Sequence, residues 1–251
     1  MPTEHPKLDL STFLLSSIHD MKNSLGMMAN YLEDALAQAP TEAGSQASNT
    51  PARQKTAQAL YEAQRVNNHL IQLLALYKID QSFYPFDPTE QSLADLAREA
   101  LARALPLAES KGILLDLDCP ENLFGWFDYD LVFGVIVQAL HNALHYTRSK
   151  VLLKASASEA GVVIQIEDDG PGYPEFLLEQ GNAAQRGISF ETGSTGLGLY
   201  FADVVASLHQ AGGRTGHIVL ANGGQLGGGQ LAGGQLAGGQ LAGGCFSLHL
   251  P

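Results

Sequence analysis

His19 and Asp20 stand side by side near the front of this 251-residue chain, in the run Ile18-His19-Asp20-Met21-Lys22-Asn23-Ser24-Leu25. A neutral imidazole nitrogen is a competent nucleophile near pH 7, and Asn23, four residues on, shares a helical face with His19. Three further groups could bind rather than react. Asn142 interrupts an otherwise apolar helical stretch, Gln138–Thr147, where a buried amide needs a partner. Asp168 is followed by Asp169-Gly170-Pro171-Gly172, and Gly170 and Gly172 permit a tight turn and close backbone approach to a ligand. Gly196 and Gly198 open a helical segment whose first amides can face a phosphate group. Taken singly each is ordinary: a solvated histidine, a satisfied core asparagine, an Asp-Gly turn, a glycine-rich helix start. His141 and His145 have the spacing of a metal pair, but no third ligand or metalloprotease glutamate accompanies them.

The elements that would hold these groups can be read from apolar periodicity. Leu14, Ile18, Met21, Leu25, Met28, Leu32 and Ala35 step by four and three, the period of a helix packing along a seam. The polar stretch Pro40 to Pro51 interrupts it, and Ala59, Ala63, Val66, Leu70, Leu73 and Tyr77 repeat the pattern. One greasy stripe on each of two helices predicts a hairpin that pairs with a second hairpin in a dimeric four-helix bundle. His19 falls one step off the seam, on the solvent flank. From Asp80 to Pro88 the character changes. Helices are predicted over Gln91–Ser110, Tyr129–Tyr146 and Gly196–Leu208, strands over Ile113–Asp118, Val151–Ala155 and Val162–Glu167, and two short strands at the end. The expected fold class is α+β: a helical hairpin over residues 1–82, then an α/β sandwich with a mixed sheet over residues 83–251. Residues 223–244 repeat a five-residue unit, GGQLA or GGQLG, which matches neither the strand nor the helix period and is expected to form a flexible loop between the last two strands.

Composition narrows the classes. A formal net charge of -12 without a basic run disfavours nucleic-acid binding. Cys119 and Cys245 have neither metal spacing nor the makings of a disulfide framework, which fits a reducing compartment. The start has no apolar h-region, and no stretch approaches about 20 uncharged apolar residues. The expectation is a cytoplasmic protein without membrane insertion.

Order and spacing tie the groups together. Asn142, Asp168-Asp169-Gly170-Pro171-Gly172 and Gly193-Ser194-Thr195-Gly196-Leu197-Gly198-Leu199 follow one another within about sixty residues. In that order they resemble the N, G1 and G2 boxes of the histidine-kinase catalytic domain, of the ATPase superfamily shared with gyrase, the Hsp90 chaperone and MutL. The run around His19 resembles the H-box of the same family. The resemblance implies ATP and Mg²⁺ as cofactors and His19 as phosphate acceptor. Asp20 would orient the imidazole and take its proton, and Asn23 would position water for a phosphatase reaction. Asp168 would accept a hydrogen bond from the adenine amino group, and Gly170 and Gly172 would line the base pocket. Asn142 and Gln138 would hold the metal. His145, Tyr146, Thr195, Gly196, Leu197, Gly198 and Leu199 would complete the nucleotide site. A response regulator receiver domain is the implied partner, with a homodimer and, since only about a dozen residues precede the first helix, a separate sensor or input protein.

The departures from the family pattern have chemical meaning. Gln138 stands where kinases carry Asn and the hydrolytic members carry Glu, and a carboxamide cannot act as a base. His145 replaces the usual lysine, leaving Arg148, Lys150 or Arg186 as possible phosphate-facing cations. The implied activity is an autophosphorylating histidine kinase. Its alternatives are a degenerate phosphotransfer or scaffold dimer that binds nucleotide without autokinase activity, and a serine kinase of the anti-sigma type.

Overall fold

The computed structural model describes residues 21, 23, 25–35, 51–179, 197–224 and 243–251. The chain divides into two compact units, Met1–Tyr84 and Pro85–Pro251.

In the first unit, residues 25–35 (α1) and Pro51–Asp80 (α2) are helical. Proline at the first position of α2 costs nothing, because that amide would have no intrahelical partner. Ala29, Leu60 and Ala63 are buried, and Gln64 Nε2 bridges the two helices to Glu33 Oε1 at 3.0 Å. The end of α2 is a Schellman motif. Ser82 takes the left-handed conformation (φ 60°), and its amide donates to Ile79 O while that of Phe83 donates to Lys78 O, both at 3.0 Å. The accompanying apolar contact is the edge-on packing of Phe83 against Tyr77, with ring centroids 5.8 Å apart.

The second unit is built on a five-stranded mixed sheet in the order β2-β4-β5-β9-β8. Its strands are Leu114–Asp118 (β2), Lys150–Ser158 (β4), Gly161–Asp168 (β5), His217–Asn222 (β8) and Gly244–Leu250 (β9). β2 runs parallel to β4 and the other pairings are antiparallel. Two small sheets complete it: Thr89–Ser92 (β1) with Phe124–Phe127 (β3), and Gln210–Ala211 (β6) with Arg214–Thr215 (β7). Leu93–Lys111 (α3), Tyr129–Tyr146 (α4) and Leu197–Leu208 (α6) pack on the large sheet, and Glu175–Glu179 (α5) is a short turn of helix. The core lies between: Val132, Val135, Ile136, Leu140 and Leu144 of α4 and Phe201 and Val205 of α6 meet Val151, Leu153, Ile164, Ile166, Phe246 and Leu248. Along β4, β5 and β9 these inward residues alternate with mostly polar ones, Leu152, Val163 and Cys245 being the apolar exceptions. On the other face Lys150 pairs with Asp116 at 2.5 Å and Gln165 Nε2 donates to Ser247 Oγ at 3.2 Å.

The expected α/β sandwich with a mixed sheet is therefore what forms, and α4 has the predicted bounds. Its start is set by Asp128, whose Oδ1 caps the Leu131 amide at 3.1 Å. The end of the chain differs from the reading of two short strands. The two-residue pair β6–β7 precedes β8, and β9 is a seven-residue strand between β5 and β8. β1 and β3 were missed altogether. Thr89–Ser92 has no apolar alternation to reveal it; its partner strand supplies the hydrogen bonds. The repeat, residues 225–242, lies outside the described residues. Its flanks are joined by Gly223 N donating to Gly243 O at 2.8 Å.

Candidate functional site

Helix α4 carries Gln138 and Asn142 one turn apart, and Gln138 Nε2 donates to Asn142 Oδ1 at 3.2 Å. Helix α6 begins against this pair. A β-carbon on Gly198 would stand 3.0 Å from Gln138 Cγ, so glycine is what lets the helix start approach. Leu197 is the first residue of α6 and is buried, while Leu199 lines a small, partly open cavity with Gln138, Asn142, Tyr173, Gly198 and Phe246.

Asp168 ends β5 with only 8% of its surface exposed. Its Oδ1 accepts the Gly170 amide at 2.8 Å, with Gly244 N more distant at 3.4 Å. Burial raises its pKa above the ordinary carboxylate value; the amides of Gly170 and Gly244 oppose that shift and the neighbouring charge of Asp169 adds to it. Gly170 packs against the end of α4: a β-carbon there would lie 2.4 Å from the Tyr146 carbonyl oxygen. Gly172 has a φ of 82°, a left-handed conformation that glycine adopts without strain, and Tyr173 follows it into the cavity wall.

The wall opposite α4 comes from the β8–β9 end of the sheet, and sequence reasoning missed it. A β-carbon on Gly243 would fall 1.6 Å from the Asp168 carbonyl oxygen. One on Gly244 would meet Asp168 Oδ2 at 2.7 Å and the Tyr173 ring at 3.2 Å. Asn222 clasps the Tyr173 backbone, accepting from its amide at 2.6 Å and donating to its carbonyl at 2.8 Å. Burial, and then the charge of Asp168, push the Tyr173 phenol well above its usual range. The antiparallel pairings of β5 with β9 and of β9 with β8 bring these residues together. The one local signal was Tyr173 following the Asp168–Gly172 turn.

The remaining predicted residues fall as follows. His145 and Tyr146 are exposed at the end of α4, their rings edge-on with centroids 4.8 Å apart. Thr195 and Gly196 lie outside the described residues, as do Arg186, His19 and Asp20. Asn23 is helical and exposed in the first unit. Among the other cations weighed for the phosphates, Lys150 is engaged by Asp116, and Arg148 is exposed. Among the described residues no three His, Cys, Asp or Glu side chains group as metal ligands. The oxygen donor at hand is the Asn142 carboxamide, a hard ligand of the kind Mg²⁺ accepts when phosphates and waters fill its other positions. A buried carboxylate able to accept from an amino group, glycines at each close approach and that carboxamide together fit a purine nucleotide with its cation.

Residues 127–251 match the family of histidine kinase-, DNA gyrase B-, and HSP90-like ATPases. The sensor-like histidine kinase SenX3 of Mycobacterium tuberculosis is 26% identical over 203 residues, 78% of this chain and 48% of that protein. The sensor histidine kinase GraS of Staphylococcus haemolyticus is 28% identical over 152 residues, 58% of this chain and 44% of that one. The chain thus spans about half the length of the curated relatives it matches. A match over 78% of the chain also cannot be confined to residues 127–251 and must reach upstream of them. In fold, the chain resembles the Acinetobacter baumannii histidine kinase AdeS, with a TM-score of 0.54 at 13% identity over 91% of this chain and 95% of that one. No helix among the described residues is long and apolar enough to cross a membrane. With these relatives, residues 127–251 are an ATPase domain of the histidine kinase-, DNA gyrase B-, and HSP90-like family, and the matches support a two-component sensor histidine kinase.

Proposed function

We propose that this protein is a cytoplasmic, homodimeric histidine kinase. It would use ATP and Mg²⁺ to phosphorylate His19 and pass the phosphoryl group to an aspartate of a response regulator receiver domain. The observation that carries the reading is a buried carboxylate linked through Tyr173 to the Asn142 carboxamide. Asp168, 8% exposed, is closely approached by Gly170 and Gly244, Gly244 also abuts Tyr173, and Tyr173 lines one cavity with Asn142. Asp168 accepts from the exocyclic amino group of the base, and this selects adenine. Asn142 Oδ1, oriented by Gln138 Nε2, would be the protein's ligand to the metal, with Gln138 acting through Asn142. Mg²⁺, when bound, would offset triphosphate charge that an acidic protein could not neutralise by itself. At the acceptor, a ring nitrogen of His19 forms the new bond to phosphorus as the bond to the ADP oxygen breaks, and Asp20 takes the ring proton. Asn23, on the same helical face, would hold the water of a phosphatase reaction.

Dimerisation is supported by the hairpin's own surface. Met21, Met28, Val66 and Leu73 lie on the two heptad seams, yet are 49%, 52%, 42% and 42% exposed in a single chain. A second hairpin would cover them. One observation favours the alternative, a nucleotide-binding phosphotransfer dimer without autokinase activity. Gln138 offers no carboxylate base, and no described lysine or arginine is seen beside Asn142. The discriminating experiment is incubation with γ-labelled ATP and Mg²⁺, comparing the wild type with His19→Gln and Asn142→Ala. Acid-labile label lost in both variants is expected. Nucleotide binding without label would replace the kinase with the phosphotransfer reading, and acid-stable label on a partner serine would replace both.

A further inference from the structure

We propose that Asp169 is a positioning residue of the nucleotide site: through residues 147–150 it fixes the last turn of α4, with Asn142, His145 and Tyr146, against the turn that presents Asp168. This inference rests on the ATP-site reading above. Its basis is the convergence of donors on one side chain. Asp169 Oδ1 accepts from Thr147 Oγ1 at 2.5 Å and from the amides of Arg148, Ser149 and Lys150 at 2.8, 2.9 and 3.2 Å. Its Oδ2 accepts from Ser149 Oγ at 2.5 Å. Three consecutive amides turned toward one oxygen form an anion-binding concavity, here filled by the protein's own carboxylate. Bonds to an ionised acceptor are about twice as strong as neutral ones.

Partial burial alone would raise the Asp169 pKa. The bonds from Ser149, Thr147 and Arg148 outweigh it and hold the carboxyl well below the usual range. Its neighbour Asp168 is shifted the other way. Adjacent carboxylates thus have opposite environments, Asp169 held by five donors and Asp168 buried with the amides of Gly170 and Gly244.

The loop that Asp169 gathers continues directly from α4, whose last turn is closed by Thr147 N donating to Ala143 O at 2.8 Å. Lys111 Nζ donates to Leu144 O at 2.9 Å on the same turn, and Gly170 abuts the Tyr146 carbonyl. The contact at Gly170 keeps the two segments from coming closer. Asp169 keeps them from parting. Together they set the distance between the base end of the site, at Asp168, and the metal end, at Asn142. A ligand that spans both ends should sense that distance; one that uses the base end alone should not.

The test uses Asp169→Ala and Asp169→Asn in the full chain, with calorimetric titration of Mg·ADP and of adenosine and amide exchange at Arg148, Ser149 and Lys150. The alanine variant is expected to lose at least about tenfold in Mg·ADP affinity, against less than about twofold for adenosine, and to exchange the three amides faster. The asparagine variant should recover Mg·ADP affinity to within about threefold and keep the amides protected. Its carbonyl can occupy the place of Oδ1 while its Nδ2 donates to Ser149 Oγ. Equal losses for the two ligands, or unchanged amide exchange in the alanine variant, would overturn the proposal. Should that variant not fold, Thr147→Val, which removes one donor and leaves the carboxylate, carries the same comparison; equal losses again overturn it. A wild type that binds neither ligand would refute the ATP-site reading itself. Amide exchange would then decide separately whether Asp169 holds the loop.

Discussion

Gly170→Ala tests the geometry of the site most directly. Gly170 has no positive φ, so the substitution is a question of space alone. The added β-carbon would lie 2.4 Å from the Tyr146 carbonyl oxygen and 2.7 Å from Asp168 Oδ1, whereas ordinary contacts begin near 3.4 Å. Both neighbours are held, one as helix backbone and the other by the turn itself, so the segments must part by about 1 Å. Overpacking of this kind costs about 1–3 kcal/mol. At about 2 kcal/mol, melting of a unit this size should fall by roughly 4–8 °C. Displacements of about 1 Å cost up to 10²-fold where alignment matters, so ADP affinity should fall at least about tenfold. Gly212→Ala is the control. Its φ is 58° with nothing within 4 Å of the added carbon, so it should cost about 1–2 kcal/mol by conformation and leave ADP affinity unchanged. Thermal melting and calorimetric ADP titration of both variants decide. Wild-type affinity in Gly170→Ala would refute the claim that this contact sets the site.

Asp168→Asn should melt above the wild type at pH 7 while losing ADP affinity. The folded pKa of Asp168 is raised by burial, so its favourable contribution is full below the unfolded carboxylate value and is lost as pH rises through the folded one. The gap in melting temperature should therefore close in acid, and an asparagine variant that melts lower at pH 7 would contradict this. His209→Leu should cost about 1–3 kcal/mol by chemical denaturation, because the ring accepts the Asp128 amide at 3.0 Å and bonds Val205 O at 2.8 Å. Burial lowers the His209 pKa, so the wild-type bonds stabilise above the ordinary histidine value and are lost as pH falls toward the folded one; a variant equally destabilised at pH 7.5 and 5 would show that titration plays no part. Deleting Gln230–Gly239, two units of the repeat, should leave ADP affinity unchanged and stabilise by only about 0.7 kcal/mol through a shorter closed loop. The Gly223–Gly243 hydrogen bond already joins the flanks; a large affinity loss on titration would assign the repeat a role in the site.

Sequence by itself determined the parts whose cause is local. The α4 helix could be placed because its apolar residues recur at helical spacing, and its start has a local cause in the Asp128 cap that the structure shows. The turn from Asp168 to Gly172 and the glycine start of α6 could be placed because glycine marks where backbone must turn or approach. Tertiary structure decided what depends on which distant strands pair. That β9 lies between β5 and β8 brings Gly243 and Gly244 onto Asp168 from some 75 residues away, and carries Asn222 to the backbone of Tyr173. It also decided that Asp169 binds the loop after α4 instead of facing a ligand, although it stands next to Asp168 in the chain. Periodicity records which side of an element is buried; it holds no information about which element covers that side, and two adjacent carboxylates differ only once the donors around each have been assembled.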